Sequence, residues 1–306
     1  MTVNAPVNIA LIKYWGKAQV HPVRPSTPSI SLSLKGLDTT TKLTPADDFS
    51  FTLNGESPSA ASLERLVRFI RQYTKDLNVH VESVNAGPTA AGVASSASGY
   101  AALSLGLKTM FDTHLDWAAF VEKTANGSGS AARSLLGGAV LWDEDGTITP
   151  VEFNHANYQM AILLLSRSPK QMSSREKMAA STKLPEFARW QVRNRLRSTR
   201  MMEAMARDDF STIGALMEAS TLDMHALTAL DPFSPPYLTK ESIHLWHAVR
   251  EARASGLAMY VTADAGPNIK VLFKKADHDR VVPFLKTFTH PVLVHDIADE
   301  GAHVCA

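Results

Sequence analysis

Between Pro88 and Tyr100 the chain reads P-T-A-A-G-V-A-S-S-A-S-G-Y, a run of small residues and hydroxyls that opens onto an apolar helical stretch. In a turn built from such residues, backbone N–H groups can approach a ligand closely. A helix starting behind it aims the positive end of its dipole at the same point. The pattern suits an anion such as a nucleotide phosphate, and it equally suits a close contact between two helices. It is not the Walker pattern. No Gly-Lys-Ser/Thr follows Gly92 and no lysine occurs between Pro88 and Leu107, so backbone groups, serines and a metal would have to meet the charge.

The 306 residues, 45% of them hydrophobic and 20% charged, are enough for two domains with real cores. A formal net charge of +1 gives no general attraction to nucleic acid or to an anionic membrane. The arginines from Arg189 to Arg200 are interleaved with Trp190, Val192, Leu196 and Met201 at helical spacing, which reads as a solvated helix face. The single Cys305 excludes an internal disulfide framework and a cysteine-based metal site, and it fits a reducing, cytoplasmic setting. No window approaches the ~18 apolar residues of a membrane span, and the N-terminus lacks a basic start followed by an apolar core, so neither export nor insertion is expected. The histidines form no His-x-x-x-His pair with a glutamate, which sets metalloprotease chemistry aside.

Periodicity predicts a buried strand over Val3–Trp15 that delivers Asn8, Lys13 and Tyr14, with Lys17 just beyond Gly16. Ile30–Leu34 alternates with period two, Thr39–Leu43 and Phe49–Leu53 continue the pattern, and Asn54-Gly55 signals a hairpin in an early antiparallel sheet. Helices are expected over Ser62–Thr74, Ser98–Met110, Asp116–Thr124, Glu186–Ala206, Phe210–Met224 and Ser242–Ala254. Strands are expected over Val79–Val84, Gly137–Trp142, Tyr158–Leu165, Ala258–Thr262, Ile269–Phe273 and Val292–Val294. A second glycine-serine turn, Gly127-Ser128-Gly129-Ser130, ends in Arg133. The class is α+β with two sheets, and a composition shift after Ser166 divides the chain into 1–167 and 168–306.

Four segments together carry a resemblance: Ala5 to Lys17 (A-P-V-N-I-A-L-I-K-Y-W-G-K), Pro88 to Gly99, Gly127 to Leu135 (G-S-G-S-A-A-R-S-L) and Asp264-Ala265-Gly266-Pro267-Asn268. In this order, and over nearly the whole chain, they resemble the diphosphomevalonate decarboxylases of the GHMP small-molecule kinase superfamily. The resemblance implies a ribosomal-protein-like N-terminal domain, a ferredoxin-like C-terminal domain and an active site in the cleft between them. It implies ATP-dependent decarboxylation of mevalonate 5-diphosphate to isopentenyl diphosphate with release of ADP, phosphate and CO₂.

Carried over residue by residue, the resemblance makes Asp264 the base or orienter of the hydroxyl, Arg133 the grip on the substrate carboxylate and Lys13 the partner of Asp264. Tyr14, Lys17, Ser174 and Arg175 match positions that bind the diphosphate. Gly92, Ser95, Ser96, Ser98, Ser128 and Ser130 would meet the phosphates of ATP, with Mg²⁺ bridging them and Ser96 as its contact. As partners it implies a small phosphorylated mevalonate and a second copy in a homodimer, with no nucleic acid or membrane. In two places the chain departs from the family: Glu176-Lys177 stand ahead of Met178 where a small residue and glycine are usual, and Gly87 stands where a bulkier residue is usual. Two other substrates or outcomes therefore stay open, a decarboxylase of mevalonate 5-phosphate and a kinase of the same superfamily that stops at a phosphorylated product. A non-catalytic nucleotide or nucleic-acid binder is a different class, against which the intact set of reactive groups argues.

Overall fold

The computed structural model describes residues 1–87, 95–112, 114–166, 172–233 and 235–305. The first half holds β1 (Thr2–Ile12), β2 (Lys17–Val20), β3 (Val23–Pro25), β4 (Ser29–Pro45), β5 (Ser50–Leu53), α1 (Ala60–Ile70), β6 (Val79–Asn85), α2 (Ser95–Phe111), α3 (Trp117–Gly127), a 3-10 turn (Gly129–Leu135), β7 (Ala139–Trp142) and β8 (Ile148–Pro150). There follow β9 (Tyr158–Leu163), α4 (Ser174–Ser181), α5 (Glu186–Ala206), α6 (Phe210–Ala229), α7 (Lys240–Ala254), β10 (Met259–Ala263), β11 (Ile269–Lys274), α8 (His278–Leu285), β12 (Val292–Asp296) and β13 (His303–Val304). The result is a mixed α+β molecule with two principal sheets.

One sheet runs β13-β1-β4-β6-β5, with β7 on β4 and β8 on β7; the other runs β10-β11-β9-β12. The early sheet is antiparallel as expected except at its edge, where β5 pairs with β6 in parallel. Asn54 and Gly55 do make a tight turn, both at positive φ (52° and 82°). Past that turn the pairing is a single bridge, Leu53 with Glu56, so no full hairpin forms. The composition shift also misplaces the division between the sheets. β9 pairs with β11 on one side and β12 on the other, so a cut after residue 167 would remove a central strand from the second sheet. The chain end then returns to the first sheet, where Val304 pairs with Val3.

A bulge in β1 explains how one strand serves both halves. Its register against β4 shifts between Ala5 and Val7, and an extra residue turns the following side chains over. Val3 and Ala5 pack with Ala101, Leu103 and Leu107 of α2. Val7, Ile9 and Leu11 pack instead with Met160 and Ile162 of β9 and with Ile213 and Met217 of α6. The same inversion puts Asn8 beside the 3-10 turn, where its amide donates to Ser130 O and Ser134 Oγ. Because one core joins β1 and β4 to β9, α5 and α6, the polar groups at the end of β1 are held rigidly against the second sheet.

Candidate active site

Lys13 directly follows β1, and helices of the second half grip its backbone. Its N–H donates to Ser220 Oγ of α6 at 3.0 Å, and its carbonyl accepts from Asn194 Nδ2 of α5 at 3.1 Å. Asn194 also donates to Thr27 Oγ1 and the Pro28 carbonyl and accepts from Ser220 Oγ, so both N–H groups of its buried amide are used. The Lys13 ammonium, on a side chain only 2% exposed, donates to the Ala10 carbonyl and to Asp264 Oδ1, each at 2.9 Å.

Asp264 begins the turn between β10 and β11. Asn268 anchors that turn to the end of β9 by accepting from the N–H groups of Leu165 and Ser166 and donating to Ser166 O. The other carboxylate oxygen of Asp264, Oδ2, lies 2.9 Å from Lys270 Nζ of β11, an ion pair at hydrogen-bond distance. Burial alone would push this carboxyl up. Lys13 and then Lys270 more than reverse that and hold it far below the usual carboxylate range. Burial dominates at Lys13: although Asp264 pulls its ammonium up, it is brought down to about 8, with the charges of Lys270 and Arg133 adding to the fall. His225 of α6 completes the cluster. Burial and then the Lys13 charge push its imidazole down to about 3, so it is neutral at physiological pH, and among the described residues its Nε2 has no hydrogen-bond partner.

Arg133 lies in the 3-10 turn, 2% exposed, and among the described residues every bond it makes is to a neutral oxygen. Nε donates to Ser31 Oγ (2.9 Å) and Asn8 Oδ1 (3.3 Å), Nη1 to Ser29 Oγ (2.6 Å) and Nη2 to Asn8 Oδ1 (3.2 Å). A guanidinium has five N–H donors, so among the described residues one is left on each terminal nitrogen, the donors a carboxylate could take. Burial brings this group down to about 10, partly offset by Tyr14 and Asp264, and it stays charged at neutral pH. Among the described residues no carboxylate lies within ion-pair distance of it. The period-two alternation of β4 thus serves the site: Ser29 and Ser31 are as buried as Ile30 and Leu32, but they face the guanidinium.

Around this centre stand the positions expected to bind a diphosphate. Tyr14 packs on Trp142, with ring centroids 4.9 Å apart. Burial pushes its hydroxyl up, against the pull of Arg133 and Arg175, and that hydroxyl has no partner among the described residues. Lys17 is half-buried, and burial together with the charge of Arg175 pushes its ammonium down. Among the described residues neither Lys17 nor Arg175 has a carboxylate partner. Ser174 opens α4, whose start is a capping box between Ser173 and Glu176. The two residues that depart from the family pattern therefore have local work. Glu176 caps α4, and Lys177 lies with Nζ 3.7 Å from the Tyr237 ring centroid and donates to the Pro235 carbonyl.

The serines divide. Ser128 and Ser130 are half-buried with hydroxyls 3.3 Å apart, and Ser96 is exposed in the first turn of α2. Ser98, also expected among the phosphate contacts, is fully buried and its hydroxyl lies 2.6 Å from Thr39 Oγ1, tying α2 to β4. Gly92 and the side chain of Ser95 lie outside the described residues. No group of three His, Cys, Asp or Glu side chains that could hold a metal occurs among the described residues.

Residues 5–151 match the family described as diphosphomevalonate decarboxylase-like N-terminal domain, and residues 160–304 match the mevalonate 5-diphosphate decarboxylase C-terminal domain. The chain belongs to the diphosphomevalonate decarboxylase family. The human diphosphomevalonate decarboxylase is 34% identical over 95% of this chain and 80% of its own length. The solved mevalonate pyrophosphate decarboxylase of Streptococcus pyogenes is 36% identical with a TM-score of 0.90, covering 98% of this chain and 96% of that one. A structure described as MDDEF in complex with MVAPP, AMPPCP and magnesium is 31% identical with a TM-score of 0.91, covering 99% and 98%.

Sequence reading missed Lys270, Asn8 as a partner of Arg133, Ser29, Ser31, Asn194, Ser220 and His225. Lys270 did leave a signal, being a charge inside the apolar strand I-K-V-L-F. Asn194 and Ser220 left none, since they act through the Lys13 backbone.

Proposed function

We propose that this chain carries out the reaction of its family, ATP-dependent decarboxylation of mevalonate 5-diphosphate to isopentenyl diphosphate, with Asp264, Arg133 and Lys13 at its centre. The observation that supports this best is the pairing of an ionised Asp264 on Lys13 with a buried Arg133 that, among the described residues, keeps an unused N–H on each terminal nitrogen. Phosphorylation of a tertiary hydroxyl needs an acceptor that orients its hydrogen. Loss of CO₂ needs a carboxylate held in one direction without being over-stabilised.

Asp264 meets the first need. Held far below its ordinary range, it accepts a hydrogen bond from the hydroxyl and orients it, but does not retain a proton at neutral pH. Arg133 meets the second: Asn8, Ser29 and Ser31 fix its guanidinium, so the carboxylate meets a preset fork. Tyr14, Lys17, Ser174 and Arg175 bind the diphosphate, where Lys17 and Arg175 have no carboxylate partner among the described residues to compete with it. Ser96, Ser128 and Ser130, with Gly92 and Ser95, take the phosphates of ATP, which supplies the phosphoryl group. For Mg²⁺ the donor set fits a site built mainly from phosphate oxygens, with the exposed Ser96 hydroxyl as the protein contact and no carboxylate cage.

We also assign the chain to the cytoplasm, in keeping with its lone Cys305, and to a small-molecule substrate, in keeping with its net charge of +1; a homodimer is proposed from the family resemblance alone. The test is direct. Purified protein given ATP, Mg²⁺ and mevalonate 5-diphosphate releases CO₂ and ADP in equal amounts, and mevalonate 5-phosphate is turned over far less well. ADP without CO₂ would make it a kinase.

A further inference from the structure

One carboxylate, Asp264, is flanked by two buried ammoniums, and the reaction as derived above uses only one of them. Lys270 is 1% exposed and sits in β11 opposite Thr262 of β10 and Ile162 of β9. Its strand neighbours Ile269 and Val271 pack into the core beneath α7 and α8. Lys270 is on the other face with Leu272, which packs toward β1 and α6. An ammonium buried there is costly unless it is paired. The groups that face it and Asp264 are Lys13 at the end of β1, Arg133 in the 3-10 turn and the neutral His225 of α6. Among the described residues this set includes no second carboxylate. Lys13 with Asp264 would already be neutral, so Lys270 leaves the trio with a net positive charge.

We propose that Lys270 is a positioning residue of the decarboxylation: by holding Asp264 Oδ2 it keeps the carboxylate from turning onto Lys13 alone, and it preserves a surplus positive charge at the reacting hydroxyl. The proposal rests on the functional reading of Asp264 and Lys13 given above. With Lys270 in place, Oδ1 and Oδ2 each answer to one ammonium, and the plane of the carboxylate is fixed from two strands, β1 and β11. Without it, Asp264 can offer both oxygens to Lys13, which neutralises that ammonium and rotates the acceptor away from the hydroxyl. Lys270 also disfavours the protonated form of Lys13 by like-charge repulsion, so the two lysines are coupled through the shared carboxylate.

The experiment uses the full chain with Lys270→Met and Lys270→Arg, and Asp264→Asn beside them. Methionine is close to lysine in length and suits an apolar face shared with Leu272. Asp264 keeps Lys13 as a partner, so the variant folds. For Lys270→Met, kcat falls at least about tenfold while KM for ATP and for mevalonate 5-diphosphate stays within about twofold. The alkaline limb of its kcat/KM profile moves up by about one pH unit, because Lys13 loses a repelling neighbour and gains sole use of Asp264. Lys270→Arg keeps the limb where it is in the unaltered protein and recovers part of kcat.

If kcat of Lys270→Met stays within about twofold of the unaltered protein, or falls with the limb unmoved and arginine no better than methionine, Lys270 is only a packing residue and the proposal is wrong. An Asp264→Asn variant with an undiminished rate would instead overturn the functional reading beneath it, so the two failures are distinguishable.

Discussion

Lys13 Nζ stands 2.9 Å from Asp264 Oδ1 across 251 positions of sequence. The contact joins the end of a strand in one sheet to a turn of the other. It exists because a shared core fixes the two sheets and because Ser220 and Asn194 clamp the Lys13 backbone. The reacting groups are therefore set by packing before any ligand arrives, and the consequences are measurable.

Asp264→Asn keeps the shape of the side chain and removes its charge. Turnover should fall by about 10²- to 10⁴-fold, the range expected when a positioned acid-base group is lost. Nucleotide affinity, measured by titration, should hardly change, because the phosphate contacts proposed above come from other elements. A variant with a normal rate of CO₂ release would remove Asp264 from the reaction.

The Lys13 ammonium, brought down to about 8 from 10.5, gives a pH dependence of two opposite signs. Activity needs the charged form, so kcat/KM of the free enzyme should decline as pH rises through about 8. Stability goes the other way. Between about 8 and 10.5 the unfolded chain holds a proton at Lys13 that the folded chain has released, and raising the pH through that window favours the folded state. Urea midpoints of Lys13→Met and the unaltered protein, compared across the window, isolate this contribution. A profile of kcat/KM that is flat through the same window would contradict the assignment of Lys13.

Asn194→Ala deletes two N–H donors shared among the buried Lys13 carbonyl, Thr27 Oγ1 and the partly buried Pro28 carbonyl. Leaving them unpaired should cost about 1–3 kcal/mol in denaturant unfolding and should lower kcat by loosening Lys13. Loss of stability with kcat intact would mean that the clamp is structural only.

Motifs made Lys13, Arg133 and Asp264 legible because each sits in a short run whose neighbours are constrained by turns and close backbone contacts. Gly129 is one such neighbour, where a side chain would run into Tyr14. The rest was hidden for physical reasons. Ser29 and Ser31 look like the wet face of an ordinary strand until the 3-10 turn is laid over them. Lys270 looks like a solvated interruption in an apolar strand, and only the pairing of β10 with β11 brings it to Asp264. A small-residue run cannot say which hydroxyls face inward, and Ser98 turned out to bond Thr39. The sheet boundary was misplaced because β9 is apolar on both faces and reads alike as the last strand of one half or the central strand of the next.

Gly129→Ala tests how tightly the diphosphate positions are packed against the carboxylate grip. A Cβ at residue 129 would stand 2.5 Å from the Tyr14 hydroxyl and 2.8 Å from its ring carbon Cζ, distances at which one partner must move. Tyr14 is pinned on its other side by Trp142, so the strain is shared with the 3-10 turn that carries Arg133. Overpacking of this kind costs about 1–3 kcal/mol, and on the roles proposed for Tyr14 and Arg133 it falls on both the phosphate and the carboxylate ends of one substrate. KM for mevalonate 5-diphosphate should therefore rise and kcat should fall together, while KM for ATP changes less. Tyr14→Phe in the same background removes the closest contact and should recover part of the lost stability in denaturant unfolding, but not the raised KM, since it also removes a hydroxyl proposed to bind the diphosphate. If Gly129→Ala leaves the kinetics unchanged, Tyr14 does not lie against this turn when substrate is bound.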